Sequence, residues 1–415
     1  MPELAVKCRY PFPEQYSLIP CLGDLVVGNV QVGLAHDVQW SNSPHTGIMG
    51  LGYSSKEAIS RKARKHDGVP SHPSFVETLV KAKVIASRLF SIYHNTLDLY
   101  GSILFGGIDT AKYDGSLTTL NCLSKTGVVD SWYLTLQEVT MRPYDGRNQT
   151  LLRSTKDKPL WTEPDTGTPG WRLPTSAYHK VIGYSGARSA EPEDWGADSG
   201  SFVRVCSDVA RGIANTTHFQ LKLSGNGTNT ATLDFELADL FTPLTAPGGG
   251  ATTDELGRPL CQLRIVEVPE RQQYLVMSSS VMKAGYWVFD LDNGQISLGQ
   301  ARLGIDTSNV VAVQAGADGL GKVTENVIAE AQKVEVEGQM SVPDTWRLST
   351  ATSTVGRATG AQPYPTVTGI TTDIDVFKRR SIETSAAVRI SGYLFGAWKL
   401  VAVLATLSML AQNGM

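Results

Sequence analysis

Apolar positions in the first 125 residues fall in short runs separated by turn residues. Leu25 to Leu34 (LVVGNVQVGL), Leu89 to Tyr93 (LFSIY) and Ser102 to Gly107 (SILFGG) read as strands. One stretch differs. Between Pro73 and Ser87, Phe75, Leu79, Val80, Val84 and Ile85 recur at i, i+4 and i+5 spacings, which predicts a helix with Ser74 as its N-cap. Residues 130 to 305 return to the strand pattern. Trp132 to Met141 (WYLTLQEVTM) alternates as a half-buried strand does, and Tyr286 to Leu291 and Gln295 to Leu298 close the segment. Short strands, tight turns and few helices predict a mostly β protein.

From about Ile305 the pattern dissolves. Residues 340 to 372 are rich in Ser, Thr, Pro and Gly without a periodic apolar face, the composition of a disordered, O-glycosylated stalk. Lys378-Arg379-Arg380 beyond it reads as a solvated charge cluster in a linker, with a processing site as the alternative. From Tyr393 to Ala411 the chain is apolar except for Lys399, and Ser385, Ala386 and Ala387 precede it across a short spacer. That layout fits a glycolipid (GPI) anchor signal; a C-terminal transmembrane helix is the alternative reading. Met1 to Gly23 lacks a cationic start followed by an apolar run, so no signal peptide is visible. An anchor signal serves only a protein that enters the secretory route, so the reading expects the N-terminal segment to be incomplete.

Composition narrows the function classes. Of 415 residues, 41% are hydrophobic and 19% charged, enough to bury a large core. A net charge of -3, with no Lys/Arg block large enough to make a basic groove, gives no nucleic-acid partner. The cysteines are Cys8, Cys21, Cys122, Cys206 and Cys261, none in a C-x-x-C pair, and the seven histidines lack ligand spacing; no metal and no cofactor are expected. An odd cysteine count fits one or two disulfides and a leftover thiol. Three N-glycosylation sequons begin at Asn148, Asn215 and Asn226, which with the tail favours an extracellular or cell-surface glycoprotein.

Several stretches resemble, in order, one family. His45 to Tyr53 (HTGIMGLGY), Pro73 to Ser87, Gly101 to Gly115 (GSILFGGIDTAKYDG), Trp132 to Val139, Pro164 to Pro174 (PDTGTPGWRLP) and Tyr286 to Gln300 (YWVFDLDNGQISLGQ) are similar to segments of pepsin-like aspartic proteases (peptidase A1). With the anchor-like tail, the chain is most similar to fungal yapsin-like cell-surface members. The resemblance covers roughly residues 22 to 305. It implies a bilobal fold, with residues 1–125 as the remnant of an N-terminal lobe and 126–305 as the C-terminal lobe. A linker or stalk at 306–384 and the tail at 385–415 complete the expected organisation. It further implies a Cys206–Cys261 disulfide and a monomer acting on peptide or protein substrates, attached to the membrane through the tail.

In that family two carboxylates, one from each lobe, share a proton. The ionised one activates a water that attacks the scissile carbonyl, and the protonated one hydrogen-bonds the carbonyl oxygen. Asp165 is the second-lobe candidate, with Thr166, Gly167 and Thr168 as the supporting loop, the glycine permitting a tight turn. No D-T-G or D-S-G occurs among the residues before Gly47, and neither Tyr10 nor Tyr16 has the surroundings of a flap tyrosine. Asp198-Ser199-Gly200 spells D-S-G but lies in the same lobe as Asp165, and Asp109 belongs to a hairpin; both are read as structural. Thr162, Glu163 and Pro164 stand where the family places aliphatic strand residues, and Pro169 and Gly170 replace the residues that usually follow, so weaker loop support is expected.

Three readings result. The chain is an incomplete aspartic endopeptidase, a non-catalytic surface glycoprotein that binds peptides or wall components, or a protein that is unlike the family in function or active as a dimer in which two Asp165 loops meet. An incomplete first lobe also predicts exposed sheet edges and a tendency to aggregate.

Overall fold

The computed structural model describes residues 16–18, 21–22, 25–27, 30–32, 48–56, 72–95, 101–144, 146–194, 196–211, 217–246, 250–321, 323, 388–392 and 401–403. Strands predominate, as the apolar pattern predicts.

The helix starts where the sequence places it. Ser74 Oγ accepts the Glu77 N–H, and the Glu77 carboxylate accepts the Ser74 N–H, a reciprocal capping box that satisfies two helix donors. Phe75, Val76 and Leu79 are buried along one face. The helix spans only Phe75–Lys81 rather than continuing to Ser87, because Lys83 turns into the left-handed region (φ 58°) and ends the ladder. The run from Leu25 to Leu34 is likewise interrupted, giving the short strands Leu25–Val26 and Val30–Val32.

Two six-stranded sheets organise the rest. The first runs in the order Val388–Gly392, Gly101–Phe105, Leu89–Tyr93, Gly285–Asp290, Gln295–Gln300, Thr118–Asn121. Leu89–Tyr93 pairs antiparallel with Gly285–Asp290 over five residues, so strands from both ends of the resemblance share one sheet. Its core is aromatic: Phe90 stacks on Phe289 at 4.9 Å, and Trp132 meets Phe289 edge-on at 5.1 Å. Each such fully buried side chain contributes about 1.5–3 kcal/mol of transfer free energy.

The second sheet orders Thr230–Glu236, His218–Ser224, Leu134–Arg142, Trp161–Pro164 and Tyr274–Met277, with Gln149–Arg153 also pairing to Leu134–Arg142. Leu134, Leu136, Val139 and Met141 are buried, and a register shift between Leu136 and Glu138 interrupts the strict alternation. Cys206 and Cys261 form a disulfide with Cα atoms 5.0 Å apart, beside the antiparallel pairing of Phe202–Val205 with Leu260–Leu263.

Ordered structure continues past the boundary expected at residue 305. Val310–Ala312 pairs with Gly107–Asp109, and Val313, Leu320 and Val323 are buried in a second cluster with Leu89, Tyr93, Ile108 and Tyr286. Asp109 explains the attachment: its carboxylate accepts the Ala111 and Asn309 N–H groups and the Ser308 hydroxyl. Most of the expected stalk lies outside the described residues, and of the expected tail only Val388–Gly392 and Val401–Val403 are described, both as strands. No helix among the described residues is long and apolar enough to cross a membrane.

Candidate active site

Trp161–Pro164 carries the D-T-G-T motif out of the second sheet. It pairs in parallel with Tyr274–Met277, in the register Trp161 to Tyr274 and Pro164 to Met277. Proline at 164 lacks an N–H, yet the ladder with Tyr274–Met277 is unaffected, because alternate residues donate to it: Trp161 N–H bonds to Gln273 O at 2.8 Å and Asp165 N–H to Met277 O at 2.9 Å. Thr162, Glu163 and Pro164 are all buried within the strand, while its pairing with Leu134–Arg142 covers Trp161 and Thr162 and not Pro164.

Asp165 is 7% exposed, and both its oxygens are engaged within its own loop. Oδ1 accepts Gly167 N–H at 2.8 Å and Oδ2 accepts the Thr168 hydroxyl at 2.7 Å. The Ser279 N–H donates to Thr168 O at 3.2 Å, so the segment after Met277 ties down the far end of the turn. Gly167 does not occupy the left-handed region, and its part in the loop is the N–H it aims at the carboxylate. Thr166 is buried beside Asp165. Gly170 is needed for close approach: a Cβ there would stand 2.7 Å from the Val266 methyl.

Sequence reasoning did not single out the groups next to this loop. Tyr274 donates its hydroxyl to Glu163 Oε2 at 2.6 Å. Burial pushes the Tyr274 phenol well above the ordinary tyrosine range, helped by the charge and hydrogen bond of Glu163 and by the charges of Tyr133 and Asp165. The Tyr133 ring meets Tyr274 edge-on at 5.6 Å, and the Lys125 ammonium sits over the Tyr133 and Trp161 rings at 4.7 and 5.5 Å. Burial raises the Cys122 thiol, with the charges of Glu163 and Asp290 adding to the effect. Ser278 and Ser280 share a 2.7 Å hydroxyl contact beside the clamp. A buried Glu two residues before Asp165 was the one available signal.

The decoys separate from the site. Asp198 is exposed, takes the Gln262 amide at 2.7 Å and pairs with Arg264 at 3.0 Å, which makes its D-S-G a surface turn. Of the sequons, Asn148 and Asn226 are exposed, and Asn215 lies outside the described residues. Cys122 is a free, buried thiol; Cys8 and the side chain of Cys21 also lie outside the described residues. Among the described residues no group of three His, Cys, Asp or Glu is placed to hold a metal ion.

Comparison with known proteins points one way. The family described as "Eukaryotic aspartyl protease" matches residues 20–301. The chain is 25% identical over 354 residues to the probable aspartic-type endopeptidase opsB of Aspergillus oryzae, covering 82% of this chain and 67% of that protein. It is 28% identical over 322 residues to OPSB of Arthroderma benhamiae, covering 76% and 59% respectively. With barrierpepsin of Saccharomyces cerevisiae the identity is 24% over 300 residues, covering 71% and 45%. The chain thus spans between about half and two thirds of the length of these curated relatives.

Proposed function

The chain belongs to the pepsin-like family of eukaryotic aspartyl proteases, and from that premise we propose that it is part of an aspartic-type endopeptidase in which Asp165 is one of two catalytic carboxylates. The observation that carries this reading is the Asp165 loop. A carboxylate fixed by two donors of its own turn, on a backbone clamped to a neighbouring strand, is preorganised to hold one water for attack. The ionised carboxylate takes the proton of that water, and its protonated counterpart steadies the carbonyl oxygen of the scissile bond. Since no D-T-G or D-S-G precedes Gly47, the proposal for this chain is a half-site. Cleavage follows where a second carboxylate is brought opposite Asp165.

The proposed setting is outside the cell or at its surface. The relative named "Secreted aspartic protease 9" of Candida albicans, 24% identical over 285 residues, supports it. So do the Cys206–Cys261 bridge, which suits an oxidising compartment, and the exposed sequon residues Asn148 and Asn226. Attachment through a glycolipid anchor belongs to the same proposal.

The test is direct. The full chain, joined to a segment that brings a second carboxylate opposite Asp165, is incubated at acid pH with a denatured protein, and new termini are mapped by mass spectrometry beside an Asp165→Asn variant. Cleavage by the wild type alone supports the endopeptidase. Saturable binding of the same substrate with no new termini supports the peptide-binding alternative. Equal cleavage by both chains refutes the role of Asp165.

A further inference from the structure

In an antiparallel ladder every second residue turns its N–H and C=O to one neighbouring strand, and the residues between turn theirs to the other. Two bonds fix that alternation in the first sheet. Leu291 N–H donates to Arg88 O at 2.9 Å, and Gly106 N–H donates to Leu89 O at 2.7 Å. With Ser91 opposite Leu104 and Tyr93 opposite Ser102, the backbone groups of Ser102 and Leu104 face Leu89–Tyr93. Those of Gly101, Ile103 and Phe105 face the other way. That side is taken by Val388–Gly392, antiparallel, with Val388 opposite Phe105, Ile390 opposite Ile103 and Gly392 opposite Gly101. As an outer edge, Gly101–Phe105 (GSILF) has no charge and no proline, the features with which natural sheets discourage pairing between molecules. Val388–Gly392 (VRISG) brings Arg389 to the edge instead. A second C-terminal strand, Val401–Val403, lies parallel to Ile48–Gly50. Two strands of the first 125 residues thus pair with the same stretch of chain.

We propose that Val388–Gly392 is an intramolecular edge strand that keeps Gly101–Phe105 from pairing with a second copy of the chain. A bared edge is self-complementary. Two copies laid antiparallel about Ile103 set Gly101 against Phe105 on both sides, through the backbone groups that Val388–Gly392 engages in one molecule. The inference makes no use of Asp165. It meets the anchor reading at one point: Ser385, Ala386 and Ala387 precede this strand, so glycolipid attachment there removes the strand and bares the edge. That consequence rests on the anchor reading, whereas the pairing does not.

Amide hydrogen exchange of the full chain at low concentration, resolved to single residues by fragmentation in the mass spectrometer, is the test. In the wild type Ile103 and Phe105 are protected, as Leu104 is through its bonds on the opposite side. Ile390→Pro deletes a donor aimed at Ile103 and speeds exchange at Ile103 and Phe105 by about tenfold or more, with Leu104 unchanged. Arg389→Pro deletes a donor on the outer side of the strand, where proline is tolerated, and changes neither. Should Ile390→Pro unfold the chain, which lost protection at Leu104 would report, Gly392→Pro removes the inward donor at the strand end and repeats the comparison. At raised concentration, light scattering finds Ile390→Pro as a dimer, and the wild type and Arg389→Pro as single chains. Free exchange at Ile103 and Phe105 in the wild type overturns the pairing. So does unchanged exchange in both inward variants, or an equal effect of Arg389→Pro. Faster exchange without association at any concentration overturns the protective role. None of these readouts involves cleavage, so the endopeptidase reading stands or falls apart from them.

Discussion

Replacing Thr168 by valine deletes one hydroxyl and keeps the branched shape. That hydroxyl donates to Asp165 Oδ2 at 2.7 Å, and Asp165 is only 7% exposed, so water replaces the donor poorly. Hydrogen bonds to charged groups contribute about 1.5–3 kcal/mol net, and the half-buried position of Thr168 argues for the lower part of that range. Thr168→Val is therefore expected to lower unfolding free energy at neutral pH by about 2 kcal/mol. Thr168→Ser, which keeps the donor, should lose well under half of that. Guanidinium titrations followed by tryptophan fluorescence measure both, and an unchanged m-value shows that the native surface is kept. If Thr168→Val lies within about 0.5 kcal/mol of wild type, the hydroxyl is not holding the carboxylate. If serine costs as much as valine, the methyl group rather than the hydrogen bond carries the effect. Either result refutes the loop argument.

Other expectations follow from the same geometry. The Cys206–Cys261 bridge closes a sequence separation of 55 residues, so Cys206→Ala with Cys261→Ala should cost up to about 4 kcal/mol of denaturant stability by the loop-entropy relation; a loss under about 1 kcal/mol contradicts it. Asp194 is held below the usual carboxylate range chiefly by its hydrogen bonds from Arg188, at 2.6 and 2.9 Å. A depressed folded value means this stabilisation is present above the unfolded Asp value of about 3.9 and is lost as pH falls through the lower folded value. The Arg188→Gln chain should then show a shallower loss of thermal stability below about pH 4 than wild type, and identical slopes would exclude the ion pair as a source. Cys122, buried and with its thiol pushed up by burial, should resist iodoacetamide in the native chain and react on unfolding, as peptide mapping would report; rapid native labelling would contradict its burial.

The parts legible in the sequence are those encoded locally. Ser74 announces its helix because the cap and its partner Glu77 are three residues apart. The strand from Leu134 was readable because its apolar positions alternate. Pairing was not legible: Gly285–Asp290 lies against Leu89–Tyr93 across some 200 residues, and no local period specifies that neighbour. Asp165 was placed through its motif together with Gly167 and Thr168, whose donors hold its carboxylate, but the backbone clamps on the loop come from elsewhere in the chain. Met277 and Ser279 clamp the loop through backbone atoms, which carry no residue-type signal. Glu163 read as an intrusion into an apolar strand, since its acceptable burial depends on a tyrosine 111 residues away. Pro164 read as a break, yet the ladder to Tyr274–Met277 draws its donors from alternate residues such as Trp161 and Asp165 and needs none from position 164. The ordered segment beyond Ile305 was missed for a similar reason, as Val310–Ala312 is too short to show a period and owes its place to Asp109 and Gly107–Asp109.

The central claim is that Asp165 activates a water for attack on a peptide bond. The most direct measurement is digestion of a peptide substrate at acid pH in water enriched in 18O, with wild-type and Asp165→Asn chains in parallel, each joined to a segment that brings a second carboxylate opposite Asp165, and products weighed by mass spectrometry. The account predicts one 18O in each newly formed carboxyl group with the wild type, and no products with the variant. Products that lack the label, or labelled products formed equally by the Asp165→Asn chain, would contradict it.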